Sequence, residues 1–129
     1  MAEKSVIRTE AAPAPFQGAP YSQAICVGDL VFVSGQLSLR PGDKDLTGGT
    51  IGEQTEQIFA NLLAILEEAG SGLDRLVKTT VYLADLDDFA GMNEVYARHV
   101  GDRPPARATV EVARLPSGAL VEIEAVAHV

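Results

Sequence analysis

The chain has 129 residues, a mass of 13.6 kDa, 47% apolar residues and a net charge of −8. That apolar content is too high for a disordered tail, and a single domain of this mass buries roughly two-thirds of its unfolded surface. The acidic balance, with no basic run, argues against sequence-independent nucleic-acid binding and against an anionic membrane as partner, since both need clustered Lys and Arg. Cys26 stands alone, which precludes an intrachain disulfide, and no Cys/His group has zinc spacing. The N-terminal stretch lacks a signal-peptide apolar core, and no run of eighteen apolar residues exists. A cytoplasmic domain is expected.

Val6 to Thr9 reads as a short first strand, followed by the Ala- and Pro-rich AAPAPFQGAP. Ala24 to Val27 and Leu30 to Gln36 read as two strands joined at Gly28-Asp29, a two-residue hairpin signal. Leu37 to Gly52, rich in Gly, Asp and Pro, reads as a loop. TGGTIG at 47–52 lacks the Gly-Lys-Ser/Thr of a phosphate loop and reads as a turn. From about Glu53 to Ala69 the period becomes helical: Ile58, Phe59, Leu62, Leu63, Leu66 and Ala69 form one stripe, with Gly70 as a left-handed cap.

Leu76 to Leu83 is a β-rich run. Asp85 and Asp88 then place negative charge at the start of a second helix, with stripe Phe89, Met92, Tyr96 and Val100, closed by Gly101. Pro104-Pro105 forces an extended entry to a strand from Arg107 to Ala113. Leu115-Pro116-Ser117-Gly118 has the composition of a type I turn, and Val121 to Ala127 is the last strand. The order β-β-β-α-β-α-β-β predicts a single α+β domain over 1–129, with two helices packed on one mixed sheet.

Read as a hairpin, the last two strands pair Thr109 with Glu124, and Arg107 lies diagonally on the same face, roughly 7–8 Å away. An arginine fork suits a carboxylate through two parallel hydrogen bonds, and a nearby glutamate can orient or deprotonate water. The competing reading is a wetted sheet face whose Arg and Glu are merely solvated. His99 suits a helix C-terminus, His128 sits beside the chain end, and Cys26 reads as core. Asn93 and Glu94 read as solvated helix positions, while Tyr21 fits either packing or a site lid.

PYSQA at 20–24, VFVSGQ at 31–36, DLDDFAGMNEVY at 85–96, PPARATVEVARLP at 104–116 and VEIEAVA at 121–127 together resemble the RidA (YjgF/YER057c/UK114) family. The resemblance implies a chorismate-mutase-like fold with a six-stranded sheet, assembled as a homotrimer with active sites between subunits. It implies cofactor-free and metal-free hydrolysis of reactive enamines and imines, such as 2-aminoacrylate and 2-iminopropanoate, to 2-oxo acids and ammonia. By motif, Arg107 corresponds to the arginine that grips the substrate carboxylate and Glu124 to the glutamate that positions water. Tyr21, Ser34, Gly35 and Asn93 correspond to pocket positions, and Thr109 stands where many relatives carry Cys.

Three other functions compete. An endoribonuclease must hold a polyanion, which the charge opposes. A non-catalytic binder of small carboxylates would use Arg107 without the glutamate. A pathway-specific deaminase of a larger, aminomuconate-like substrate could use the long 37–52 loop to shape its pocket.

Overall fold

The computed structural model describes residues 3–129. Its strands are β1 (Lys4–Ile7), β2 (Ala24–Val27), β3 (Leu30–Gln36), β4 (Leu76–Leu83), β5 (Ala106–Glu111) and β6 (Val121–His128). Helix α1 (Ile51–Glu68) precedes β4, and α2 (Phe89–Val100) lies between β4 and β5. As the α+β reading expected, the six strands form one mixed sheet; their order is β1-β2-β3-β6-β4-β5.

The Gly28-Asp29 hairpin is formed, with Val27 opposite Leu30. The first strand begins two residues earlier than its apolar run, since pairing to β2 also takes in Lys4 and Ser5. Helix α1 begins at Ile51, inside the segment read as loop. Thr50 Oγ1 accepts the Glu53 N–H at 3.2 Å and the Glu53 carboxylate accepts the Thr50 N–H at 3.2 Å, a capping box the sequence already spelled as T-x-x-E. Its buried stripe is Ile58, Phe59, Leu62, Ile65 and Leu66, whereas Leu63 falls off it and is exposed. Helix α2 buries Met92, Val95, Tyr96 and Val100 and leaves Phe89 exposed.

The expected β5–β6 hairpin does not form. Strand β4 lies between the two, parallel to β5 and antiparallel to β6. The physical reason is the helix: a β4–α2–β5 unit returns the chain in the same direction, so the parallel pair forms and residues 112–120 cross the end of β4. The turn in that crossover is also different from the type I expected. Ser117 and Gly118 both have positive φ, 55° and 69°, and the Ala119 N–H bonds to the Pro116 carbonyl at 3.0 Å, which is a type I′ geometry.

The helices cover one sheet face. Val31, Val33, Val81, Leu83, Val121, Ile123, Ala125 and Ala127 pack there against both helices. The opposite face carries no α-helix among the described residues, and exposes Val6, Leu30, Phe32 and Val110.

Candidate functional site

Two groups of polar residues stand on opposite faces of the sheet. On the helix-covered side, Arg107 and Thr109 alternate along β5 in register with Thr79 and Val81 of β4. The Arg107 guanidinium lies 4.7 Å from the Tyr96 ring centroid and 5.5 Å from that of Phe89. Phe89, Asn93 and Tyr96 follow one another at i, i+4 and i+7 on α2, so Asn93 sits between the two rings on the same helix face. Asn93 Oδ1 and Thr109 Oγ1 are buried without a hydrogen-bond partner among the described residues. Arg107 forms no ion pair among the described residues. A half-buried cation beside orphaned polar atoms has the chemistry to take a small polar anion.

The second group stands on the other face. A cavity of about 360 Å³ is lined by Phe16, Ala19, Tyr21, Ser34, Gly35, Leu37, Pro116 and Glu122. A bulge in β3 makes it. Phe32 pairs with Val126, but Gln36 pairs with Ile123, so one extra residue is accommodated around Ser34-Gly35. The bulge brings Gly35 against the Glu122 carboxylate. Ser34 Oγ donates to the Ser22 carbonyl at 2.6 Å, and Tyr21 Oη accepts the Phe16 N–H at 2.6 Å, which ties the 16–22 segment over the cavity mouth. A separate cavity of about 600 Å³ beside β1 shares Tyr21 but none of Ser34, Gly35 or Glu122.

The hairpin expectation that put Arg107, Thr109 and Glu124 on one face is therefore corrected: β4 intervenes, and Arg107 and Glu124 project from opposite faces. Glu124 is exposed, outside the cavity, and its Oε1 accepts the Tyr82 hydroxyl at 2.9 Å. Glu122, two residues earlier, is the carboxylate that joins Tyr21, Ser34 and Gly35. Burial pushes the Glu122 carboxyl above the usual range, and the neighbouring Glu124 charge adds to this. Sequence reading missed Glu122 because both glutamates alternate identically in VEIEAVA; only the β3 bulge distinguishes them.

His99 lies outside both groups. Its Nε2 is 2.9 Å from Glu56 Oε2, and its ring stacks on Phe59 at 4.6 Å. Cys26 is half-buried and packs against the core. No three His, Cys, Asp or Glu side chains converge as a metal site among the described residues, and no helix is long and apolar enough to cross a membrane.

The family model described as Endoribonuclease L-PSP matches residues 9–129. The chain belongs to this family, which includes the RidA proteins its motifs resemble. Within the family, a RutC family protein of Pyrococcus abyssi is 53% identical over 125 residues, covering 97% of each chain. A 2-iminobutanoate/2-iminopropanoate deaminase of Mus musculus is 44% identical over 124 residues, covering 96% of this chain and 90% of the mouse protein. The crystal structure of RidA from an Antarctic Psychrobacter superposes with a TM-score of 0.91 at 45% identity, over 97% of this chain and 99% of that one.

Proposed function

We propose that this member of the family hydrolyses small 2-imino acids and their enamine tautomers to 2-oxo acids and ammonia. The observation that carries the reading is the guanidinium of Arg107, in no ion pair among the described residues, flanked by two rings and beside two orphaned buried polar atoms. Such a cradle suits a carboxylate with a further polar group next to it. The deaminase names among its relatives point to the same substrates.

In this reading the glutamate is Glu122, whose raised pKa suits proton transfer nearer neutrality than an exposed carboxylate allows. Water attacks the iminium carbon. The new C–O bond forms as the C=N π pair moves to nitrogen, and Glu122 takes the proton of the water. The protonated Glu122 then gives its proton to the carbinolamine nitrogen. The C–N bond breaks, the C=O bond forms with loss of the hydroxyl proton to Glu122 or solvent, and ammonia leaves. The electrophile is already activated, so orientation by Arg107 and proton transfer by Glu122 are the contributions asked of the protein.

One chain does not bring the two groups together, because the sheet separates them. We therefore infer that a complete site takes Arg107, Asn93 and Thr109 from one copy and Tyr21, Ser34, Gly35 and Glu122 from its neighbour. A homotrimer, in which three identical head-to-tail contacts close, meets that requirement. The exposed apolar residues Val6, Leu30, Phe32 and Val110 on the uncovered sheet face favour such contacts.

The test is a coupled assay. An amino-acid oxidase generates imino acids in semicarbazide buffer, and the trapped semicarbazone is followed by absorbance. Wild type should divert the imine to the 2-oxo acid, while Arg107→Ala and Glu122→Gln should not and Glu124→Gln should. If wild type does not accelerate hydrolysis for any imino acid of a broad panel, the reading is wrong.

A further inference from the structure

Among the described residues Arg107 has no carboxylate partner to fix its long side chain, and a mobile guanidinium would lose rotamer entropy on gripping a substrate. We propose that Phe89 and Tyr96 are positioning residues that hold the Arg107 guanidinium plane ready for a substrate carboxylate, with Thr79 fixing Tyr96. This inference rests on the carboxylate-binding role proposed above for Arg107.

The geometry has three parts. Tyr96 and Phe89 bring their rings within 4.7 and 5.5 Å of the guanidinium carbon, inside the range in which a ring quadrupole attracts a cation. Tyr96 is in turn held on two sides. Its hydroxyl lies 2.6 Å from Thr79 Oγ1, which is fully buried, and the Phe59 ring meets it edge-on at 5.3 Å and 83°. Thr79 is also the residue of β4 in register with Arg107, so the strand that aligns the arginine also anchors the ring beneath it.

Phe89 completes the arrangement from the solvent side. It begins α2, and as a large apolar side chain it is 41% exposed, so core packing does not account for its place beside Arg107. A ring at this point needs another reason to be there, and the cation supplies one. Fixing the guanidinium before substrate arrives lowers the ordering cost of binding. The effect acts on carboxylate capture and leaves the proton chemistry at Glu122 untouched.

The experiment compares Phe89→Leu, Tyr96→Leu and Tyr96→Phe with wild type by steady-state kinetics and by calorimetric binding of 2-oxobutanoate. Phe89→Leu keeps the apolar volume at an exposed site, so folding is not at issue there. The expected result is a rise in KM and in the 2-oxobutanoate Kd of about three- to thirtyfold for both Leu variants, with kcat within about twofold. Tyr96→Phe keeps the ring but loses the Thr79 contact, so its Kd should lie between those of wild type and Tyr96→Leu. Unchanged KM and Kd in Phe89→Leu, or a fall in kcat at constant KM, would overturn the proposal.

The binding arm separates this inference from the deaminase reading. If wild type binds 2-oxobutanoate through Arg107 but turns over no imine, the activity is wrong and the positioning role is still judged by Kd. If wild type binds no 2-oxo acid, or Arg107→Ala binds it as well as wild type does, the positioning proposal falls too.

Discussion

Gly35 and Glu122 meet across the β3–β6 pair so closely that a side chain at position 35 must displace the Glu122 carboxylate. A Cβ built there would overlap Glu122 Oε2 and lie 2.9 Å from its Cδ. The glycine is needed for clearance, since its φ is not in the left-handed region. Gly35→Ala should push the carboxylate out of the cavity and lower kcat by about 10²-fold, the scale of a lost general base, while the protein stays folded. Kinetics together with circular dichroism check both halves; full activity in Gly35→Ala would mean the carboxylate position is immaterial.

The pH dependence follows from the raised Glu122 value. Activity should climb with pH through a midpoint above the ordinary carboxyl value of 4.5, as Glu122 loses its proton and becomes a base. Glu124→Gln removes the second cause of the shift, so that limb should move to lower pH. Stability has the opposite slope. Between the unfolded and folded values the native state holds a proton that the unfolded chain has lost, so stability falls as pH rises through that window. Glu122→Gln should therefore be more stable than wild type near neutrality, with the difference vanishing once the pH is below the unfolded value. Urea titrations at several pH values measure this.

Mixing two inactive variants tests the shared site. Arg107→Ala supplies an intact Glu122 half, and Glu122→Gln supplies an intact Arg107 half. After joint unfolding and refolding in equal amounts, about a quarter of the sites in randomly mixed cyclic trimers should combine the two intact halves. Recovered activity near that fraction supports sites between copies, while none at all points to a site within one chain. Phe32→Asp, on the uncovered face, should lower the sedimentation mass and abolish activity together.

Asn61 connects the core to the cavity wall. It is buried on α1 and its Nδ2 donates to the Leu37 and Leu39 carbonyls at 3.1 and 3.0 Å, with Leu37 lining the cavity. Asn61→Ala leaves the buried Leu39 carbonyl without this donor, at about 1–3 kcal/mol where water does not reach it, while the Leu37 carbonyl keeps the Leu39 N–H at 2.8 Å. Chemical denaturation should show a loss of about 1–3 kcal/mol, and the remaining folded protein should bind 2-oxo acids more weakly.

Ser117 carries a strained backbone in the β5–β6 crossover, at φ 55° and ψ 27°. Ser117→Gly relieves that strain but increases the freedom of the unfolded chain, and the balance should stabilise the protein by about 0.5–1 kcal/mol. A higher urea midpoint with an unchanged slope would bear this out.

The local elements were legible in the sequence because they are written in short-range terms. The Ile58–Leu66 stripe, the left-handed Gly70 and Gly101 at 80° and 70°, and the Gly28-Asp29 hairpin need only neighbouring residues to specify them. The motifs also carried the family, and the order of elements the α+β class. The partner of β5 was not legible. Alternation in RATVEVA and VEIEAVA determines which residues share a face within each strand, but it is blind to which strand lies alongside. That choice belonged to α2, whose crossover forces β5 parallel to β4 and separates it from β6. The same limit hid Glu122. Two glutamates on one strand face are equivalent until a bulge in a strand far away in sequence presses Gly35 against one of them, and long-range pairing alone decides where that bulge falls.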